Sequence, residues 1–163
     1  MFNTVLHELR SAKNVGMIAR SHLAFGGNHL ILIGDKNKWN FKGGTSTYTR
    51  KLIHLERLLF FDNFELFLRW NNNKFKTIAI EITENAKSSE NYNFPSQCNI
   101  VLGNERIGLT SEIINQCDEV ITIPQIGTIG SLNVAVSASI IFYELNKKNT
   151  GNIIGNKFAE INV

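Results

Sequence analysis

Short apolar runs recur along the chain without alternating apolar and polar residues: Thr4 to Leu6, Leu30 to Ile33, Leu58 to Phe61, Thr77 to Ile80, Asn99 to Leu102 and Val120 to Ile123. A strand with one wet face alternates, whereas a strand covered on both faces does not, so these runs suit a sheet layered between helices. Segments of helical length lie between several of them: Asn14 to Phe25, Asp62 to Trp70, Thr110 to Cys117 and Ser131 to Leu145. This succession predicts an α/β domain on a mostly parallel sheet. Gly26-Gly27 is placed to end the first helix, Asp62 or Asn63 to cap the second, and Thr110 or Ser111 to cap the third. Asp35 to Thr49 and Asn85 to Gln97 read as mobile loops, Asn71 to Asn73 as a turn, and 147–163 as a loose tail or a short closing helix. A chain of 163 residues is expected to form one domain, here 1–163, with a real core.

The hydrophobic fraction of 43% separates the chain from disordered sequences, and a net charge of +3 permits a polyanionic partner without requiring one. Acid and base occur too early in MFNTVLHELR for a secretory signal, and no apolar run approaches the length of a membrane span, so a cytoplasmic protein without a membrane partner is expected. Cys98 and Cys117 form no CxxC pair and read as reduced, packed thiols. His7, His22, His29 and His54 show no metal-ligand spacing, so no metal is expected.

Chemistry is expected beyond the carboxyl ends of the strands, where loops of an open parallel sheet leave backbone groups unpaired. In LGNERIG (residues 102–108), Gly103 lets a ligand approach the backbone, Gly108 allows a tight turn, and Glu105 hangs over the crevice. IPQIGTIGSLN repeats the arrangement, with Gly127 and Gly130 in a loop and Ser131 at a helix start. Two such strand ends can enclose a flat heterocycle, with Ile123 and Leu132 covering its faces. Neither loop has a GxGxxG or Walker A pattern, so a dinucleotide or P-loop site lacks its fingerprint. Asn14 and Arg20 reach the crevice from the first helix, and Arg20 offers a planar fork suited to a phosphate or carboxylate. The last helix, from Ser131, is apolar nearly all round, which makes it either core or half of a subunit interface.

Taken together, N-x-G-x-I-x-R at Asn14 to Arg20, L-G-N-E-x-x-G at Leu102 to Gly108, and I-P-x-x-G-x-x-x-S-L-N-V at Ile123 to Val134 resemble the three ordered motifs of the SpoU (TrmH-like) family of SPOUT RNA ribose methyltransferases. The resemblance covers Val5 to Leu145. It implies a SPOUT-type sheet flanked by helices with a deep C-terminal trefoil knot, and a homodimer whose active sites lie at the interface. It also implies S-adenosylmethionine as cofactor and RNA 2'-O-ribose methylation, with tRNA favoured over ribosomal RNA. A catalytically silent RNA-binding member is the alternative. By matching position, Asn14, Arg20, Glu105, Ser131 and Asn133 are expected to be catalytic or RNA-facing. Leu102, Gly103, Ile123 and Leu132, with Ile80 and Glu81 at another strand end, are expected to form the cofactor pocket. Glu105 is expected to orient Arg20 or a substrate hydroxyl, and Arg106 to be a phosphate contact or a solvated charge. His22, Ala135 and the segment Asp35 to Arg57 depart from the family pattern.

Overall fold

The structure is a computed structural model that describes residues 1–39 and 47–147. In chain order the elements are β1 (Phe2–His7), α1 (Ala12–Ala24), β2 (Leu30–Ile33), a 3-10 turn (Lys36–Lys38), α2 (Thr47–His54), β3 (Leu58–Phe61), α3 (Phe64–Asn71), β4 (Lys76–Ile80), β5 (Lys87–Ser88), β6 (Cys98–Leu102), α4 (Ser111–Asn115), β7 (Glu119–Thr122) and α5 (Val134–Asn146). The strands form one parallel sheet in the order β3-β2-β1-β6-β4-β7-β5.

Both faces of the sheet are covered, which is why its strands do not alternate. Leu6, Leu32, Ile78, Ile100 and Leu102 pack toward the helices α1, α2 and α5. Their neighbours Val5, Ile31, Ala79 and Val101 pack on the other face with Phe64 and Phe67 of α3 and Ile113 of α4. Leu6 and Ile80 both stand opposite Leu102, and Ile80 also stands opposite Ile121, so the ends of β1, β6, β4 and β7 lie level. Because the strands are parallel, their following loops emerge along one edge. At the opposite end a buried polar ladder crosses β1, β6 and β4: Asn3 Nδ2 donates to Asn99 Oδ1 at 2.9 Å, and Asn99 Nδ2 donates to Thr77 Oγ1 at 3.3 Å. These groups are satisfied only in this register, so the ladder opposes a slip of one residue.

The expected helices and strands are present with bounds shifted by a few residues, and β2 and β3 match throughout. The structure also adds elements. Asp35 to Thr49, read as a loop, contains the 3-10 turn and the start of α2; its residues 40–46 lie outside the described ones. α2 buries only Thr49 and Leu52, too sparse a pattern to show as an apolar stripe. Asn85 to Gln97 contains β5, which pairs with β7 through Lys87 and Ser88 and so carries no apolar signal. The last helix starts at Val134 rather than Ser131, because Asn133 caps it: its Oδ1 accepts from the Ala135 N–H at 2.9 Å. Gly26 ends α1 at φ +74°, and the Asn71 to Asn73 turn holds Asn72 and Asn73 at φ 43° and 56°. All but the first residue of the stretch read as a tail or closing helix, 147–163, lies outside the described residues.

Candidate functional site

The loop after β6 closes on itself through Asn104 and Gly108, whose backbone groups exchange hydrogen bonds of 2.9 and 3.2 Å. Inside it, the Asn104 side-chain oxygen accepts from the Arg106 N–H at 2.9 Å, while its amide donates to the Glu8 carbonyl at 2.7 Å and ties the loop to the end of β1. The two glycines are needed for different reasons. A Cβ on Gly103 would lie 2.3 Å from the Gly108 carbonyl carbon. Gly108 sits at φ +66°, and a Cβ there would lie 2.3 Å from Glu81 Oε2. By contrast, a Cβ on Gly127 or Gly130 would meet open space.

Glu81 follows β4 and spends its carboxylate on this loop. Oε2 accepts from the Leu109 N–H at 2.7 Å, and Oε1 accepts from the Ile82 N–H at 3.0 Å. It therefore couples the β4 and β6 loops, a role its expected place in the cofactor pocket did not include. Together with the loop after β7, these loops enclose a cavity of about 340 Å³. Ile80, Leu102, Gly103, Ile123 and Leu132 all line it, as do Glu81, Glu105 and Ser131. The stretch 124–133 is exposed throughout, and Gln125, Gly130, Ser131 and Leu132 from it line the cavity.

Glu105 is turned toward the start of α1. Its Oε1 accepts from the Asn14 side-chain amide at 3.0 Å and from the Ser11 N–H at 3.0 Å, and its Oε2 accepts from the Arg10 N–H at 2.9 Å. Partial burial works to raise the Glu105 pKa, but the donors from Arg10, Asn14 and Ser11 prevail and hold the carboxyl below the usual range. Asn14 is shared: its Oδ1 accepts from Asn133 Nδ2 at 3.3 Å. One hydrogen-bonded line thus joins all three sequence motifs.

Arg20 is not part of that line, and it does not line the cavity. Glu105 is bound to Asn14 and two backbone N–H groups and not to Arg20, the first of the two partners expected for it. The Arg20 guanidinium lies instead over the Tyr48 ring of α2, with Cζ 5.3 Å from the centroid. It borders a second, shallow cavity of about 480 Å³ between α1 and α5, whose walls include Met17, Val136 and Tyr143, all exposed apolar side chains. Sequence reasoning missed Ser11, Asn104 and Tyr48. The turn pattern of Asn104 ahead of Gly108 was a usable signal for the second; the other two depend on packing.

Cys98 and Cys117 are free thiols, each pushed up to about 12 chiefly by burial, and so unreactive near neutral pH. Among the described residues no group of three or more His, Cys, Asp or Glu is placed to hold a metal, and no helix is long and apolar enough to cross a membrane.

Residues 1–143 match the SpoU rRNA Methylase family. The chain belongs to that family. Two relatives are similar in sequence. The archaeal tRNA (cytidine-2'-O-)-methyltransferase TrmJ of Methanocaldococcus jannaschii is 26% identical over 175 residues, covering 100% of this chain and 73% of the archaeal protein. The tRNA (guanosine(18)-2'-O)-methyltransferase TARBP1 of Mus musculus is 36% identical over 74 residues, covering 45% of this chain and only 5% of the mouse protein. A solved structure described as giving insights into the 2-OH methylation of C/U34 on tRNA superposes with a TM-score of 0.76 at 25% identity, covering 93% of this chain and 98% of the other. An AdoMet-bound rRNA methyltransferase from Sinorhizobium meliloti has a similar fold, with a TM-score of 0.74 at 23% identity, covering 90% of this chain and 56% of that one.

Proposed function

We propose that the protein is an S-adenosylmethionine-dependent RNA ribose 2'-O-methyltransferase acting on tRNA, a single domain that works as a homodimer in the cytoplasm. The observation that supports this reading most is the line Glu105–Asn14–Asn133, which fastens three distant motifs beside one cavity. The relatives named for tRNA methylation favour tRNA as the substrate. The family resemblance adds a deep trefoil knot near the C-terminus.

The cavity fits the cofactor by its chemistry. Ile80, Leu102, Ile123 and Leu132 offer apolar walls to a flat ring, Gly103 allows close backbone approach, and Gln125 and Ser131 on the cavity wall bring polar groups for its edges. When bound, S-adenosylmethionine supplies a methyl group on a sulfonium for in-line transfer to a ribose 2'-oxygen. Such a displacement needs alignment and removal of the 2'-hydroxyl proton, here passed to solvent water, with a fixed cation to stabilise the alkoxide that this leaves. Asn14, Glu105 and Asn133 hold the motifs in register with one another, and Ser131 on the cavity wall faces the RNA. Arg20 binds the phosphate next to the target ribose and stabilises alkoxide charge. A guanidinium stays protonated in proteins, so Arg20 acts electrostatically and not as a base. A dimer joined across the exposed apolar face of α1 and α5 brings Arg20 to an active site of the assembly.

The test is incubation with methyl-labelled S-adenosylmethionine and total RNA, followed by mapping of the modified ribose. Labelled 2'-O-methylribose in tRNA is expected, and Arg20→Ala is expected to abolish labelling while the protein remains a folded dimer. Tight cofactor binding without transfer to any RNA would overturn the enzymatic reading, and label confined to ribosomal RNA would overturn the choice of substrate.

A further inference from the structure

The charged residues that line the cavity are Glu81, Glu105 and Arg106, two negative groups against one positive. Arg106 is exposed, and the bond that holds it is its backbone N–H on Asn104 Oδ1 at 2.9 Å, which does not fix the guanidinium. Glu81 is half-buried and held at both oxygens: Oε1 accepts from the Ile82 N–H at 3.0 Å and Oε2 from the Leu109 N–H at 2.7 Å. Gly108 packs directly against it, since a Cβ there would lie 2.3 Å from Oε2. A carboxylate keeps its negative charge while it accepts N–H groups, and this one cannot swing away without giving up both bonds.

Glu105 adds a second fixed negative charge, its carboxyl held below the usual range by the donors of α1 and of the residues before it. The ion pairs among the described residues join Arg69, Lys76, Lys87 and Lys147 to other carboxylates, and none involves Glu81 or Glu105. Ile80, Leu102, Ile123 and Leu132 supply walls of low polarity, beside which a fixed charge is screened less than in open water. Apolar walls with fixed carboxylates favour a ligand that is apolar over much of its surface and carries a positive charge.

We infer that the Glu81 carboxylate makes the cavity prefer the sulfonium form of its ligand to the thioether that remains once the methyl group has left. The inference rests on the methyltransferase reading and adds how the spent molecule is exchanged for a fresh one. In the transfer the 2'-oxygen bonds to the methyl carbon and the carbon–sulfur bond breaks, its electron pair staying on sulfur, so the sulfonium becomes neutral S-adenosylhomocysteine. Reactant and product share every other part and differ by one methyl group and one unit of positive charge. Apolar walls and peptide groups hold the two alike; a fixed negative charge acts on the difference. The same field stabilises the sulfonium before transfer and so does not speed the chemical step; it acts on which molecule occupies the cavity.

Calorimetry of the full chain with S-adenosylmethionine and, separately, S-adenosylhomocysteine tests this in the wild type, Glu81→Gln and Glu81→Asp, with circular dichroism to check folding. The wild type is expected to bind the sulfonium more tightly than the thioether. Glu81→Gln is expected to lower that ratio of affinities by roughly 5- to 20-fold, the effect of one unit charge in a partly screened cavity. Glu81→Asp shortens the brace but keeps the charge, so both affinities are expected to fall while their ratio stays within about threefold of wild type. Equal losses for both ligands in Glu81→Gln, with the ratio unchanged, would overturn the inference and leave Glu81 as a brace or as a partner of groups that the two molecules share. Should Glu81→Gln not fold, Gln125→Glu adds a carboxylate to the same cavity from its exposed wall and is expected to raise the ratio about threefold or more; an unchanged ratio there overturns the inference equally. Failure of the underlying reading looks different: a wild type that bound neither molecule would sink both, whereas one that bound both and labelled no RNA would sink the enzymatic reading and leave the ratio to decide the role of Glu81.

Discussion

The Glu105 carboxylate accepts the Asn14 side-chain amide at 3.0 Å across 91 residues of sequence, and Asn14 accepts in turn from Asn133. The three motifs are therefore one structural unit, and Glu105 is its only charged member.

Replacing Glu105 with Gln keeps the shape but turns one acceptor into a donor facing N–H groups. The expected cost is about 1 kcal/mol of stability, read by urea unfolding, because the site is partly solvated. Methyl transfer is expected to fall at least tenfold. The Glu105 pKa is depressed in the folded state, so its stabilisation is complete above the unfolded carboxylate range and is lost as pH falls through the lower folded value. The stability difference between wild type and Glu105→Gln should accordingly be flat from pH 8 to pH 6 and shrink only in acid; a difference that vanished at pH 6 would contradict this.

Gly103→Ala forces a methyl group to within 2.3 Å of backbone at Gly108, where no side chain can swing away. We expect a loss of about 2 kcal/mol or more and collapse of cofactor affinity in calorimetry. Gly127→Ala, which meets open space, is expected to leave stability within about 0.5 kcal/mol of wild type.

Tyr48 holds the Arg20 guanidinium over its ring. Tyr48→Ala is expected to lower kcat about 5- to 10-fold, the equivalent of roughly 1 kcal/mol of cation-π contact, with little change in the KM for cofactor. Tyr48→Phe retains the ring and should rescue most of the rate. Equal losses in the two variants would assign the effect to the phenol hydroxyl instead.

His22 is fully buried between Phe2 and Phe142, with Nδ1 2.9 Å from Thr4 Oγ1 and no partner for Nε2 among the described residues. Burial lowers its pKa to about 4 from 6.5. Between these values the unfolded chain binds the proton and the folded one does not, so stability is full above pH 6.5 and declines as the solution is acidified toward pH 4. Chemical denaturation should find the protein about 2 kcal/mol less stable at pH 5 than at pH 8, and His22→Leu should remove most of that difference. An undiminished pH dependence in His22→Leu would place the titrating group elsewhere.

Much of the fold can be read along the chain because it depends on local pattern. Leu30–Ile33 and Leu58–Phe61 announce themselves as strands by unbroken apolar character, and Gly26 by its place after a helix. α2 and β5 escape notice because each buries too little to leave a periodic trace. The site divides in the same way. Ile80, Leu102, Gly103 and Ile123 stand at or just past strand ends, where a parallel sheet must expose its loops, and they do share one cavity with Leu132.

Sequence alone determined which residues stand at the sheet's carboxyl edge, since a strand's direction and length follow from its own residues and its turns. Partnership was decided only by tertiary structure. Glu105 lies on Asn14 instead of Arg20, Glu81 braces the neighbouring loop, and Arg20 stacks on Tyr48, because each pairing depends on which loops the strand order brings side by side. Hydrogen bonds act over about 3 Å, and at that range spatial order, which no local pattern encodes, selects the partner.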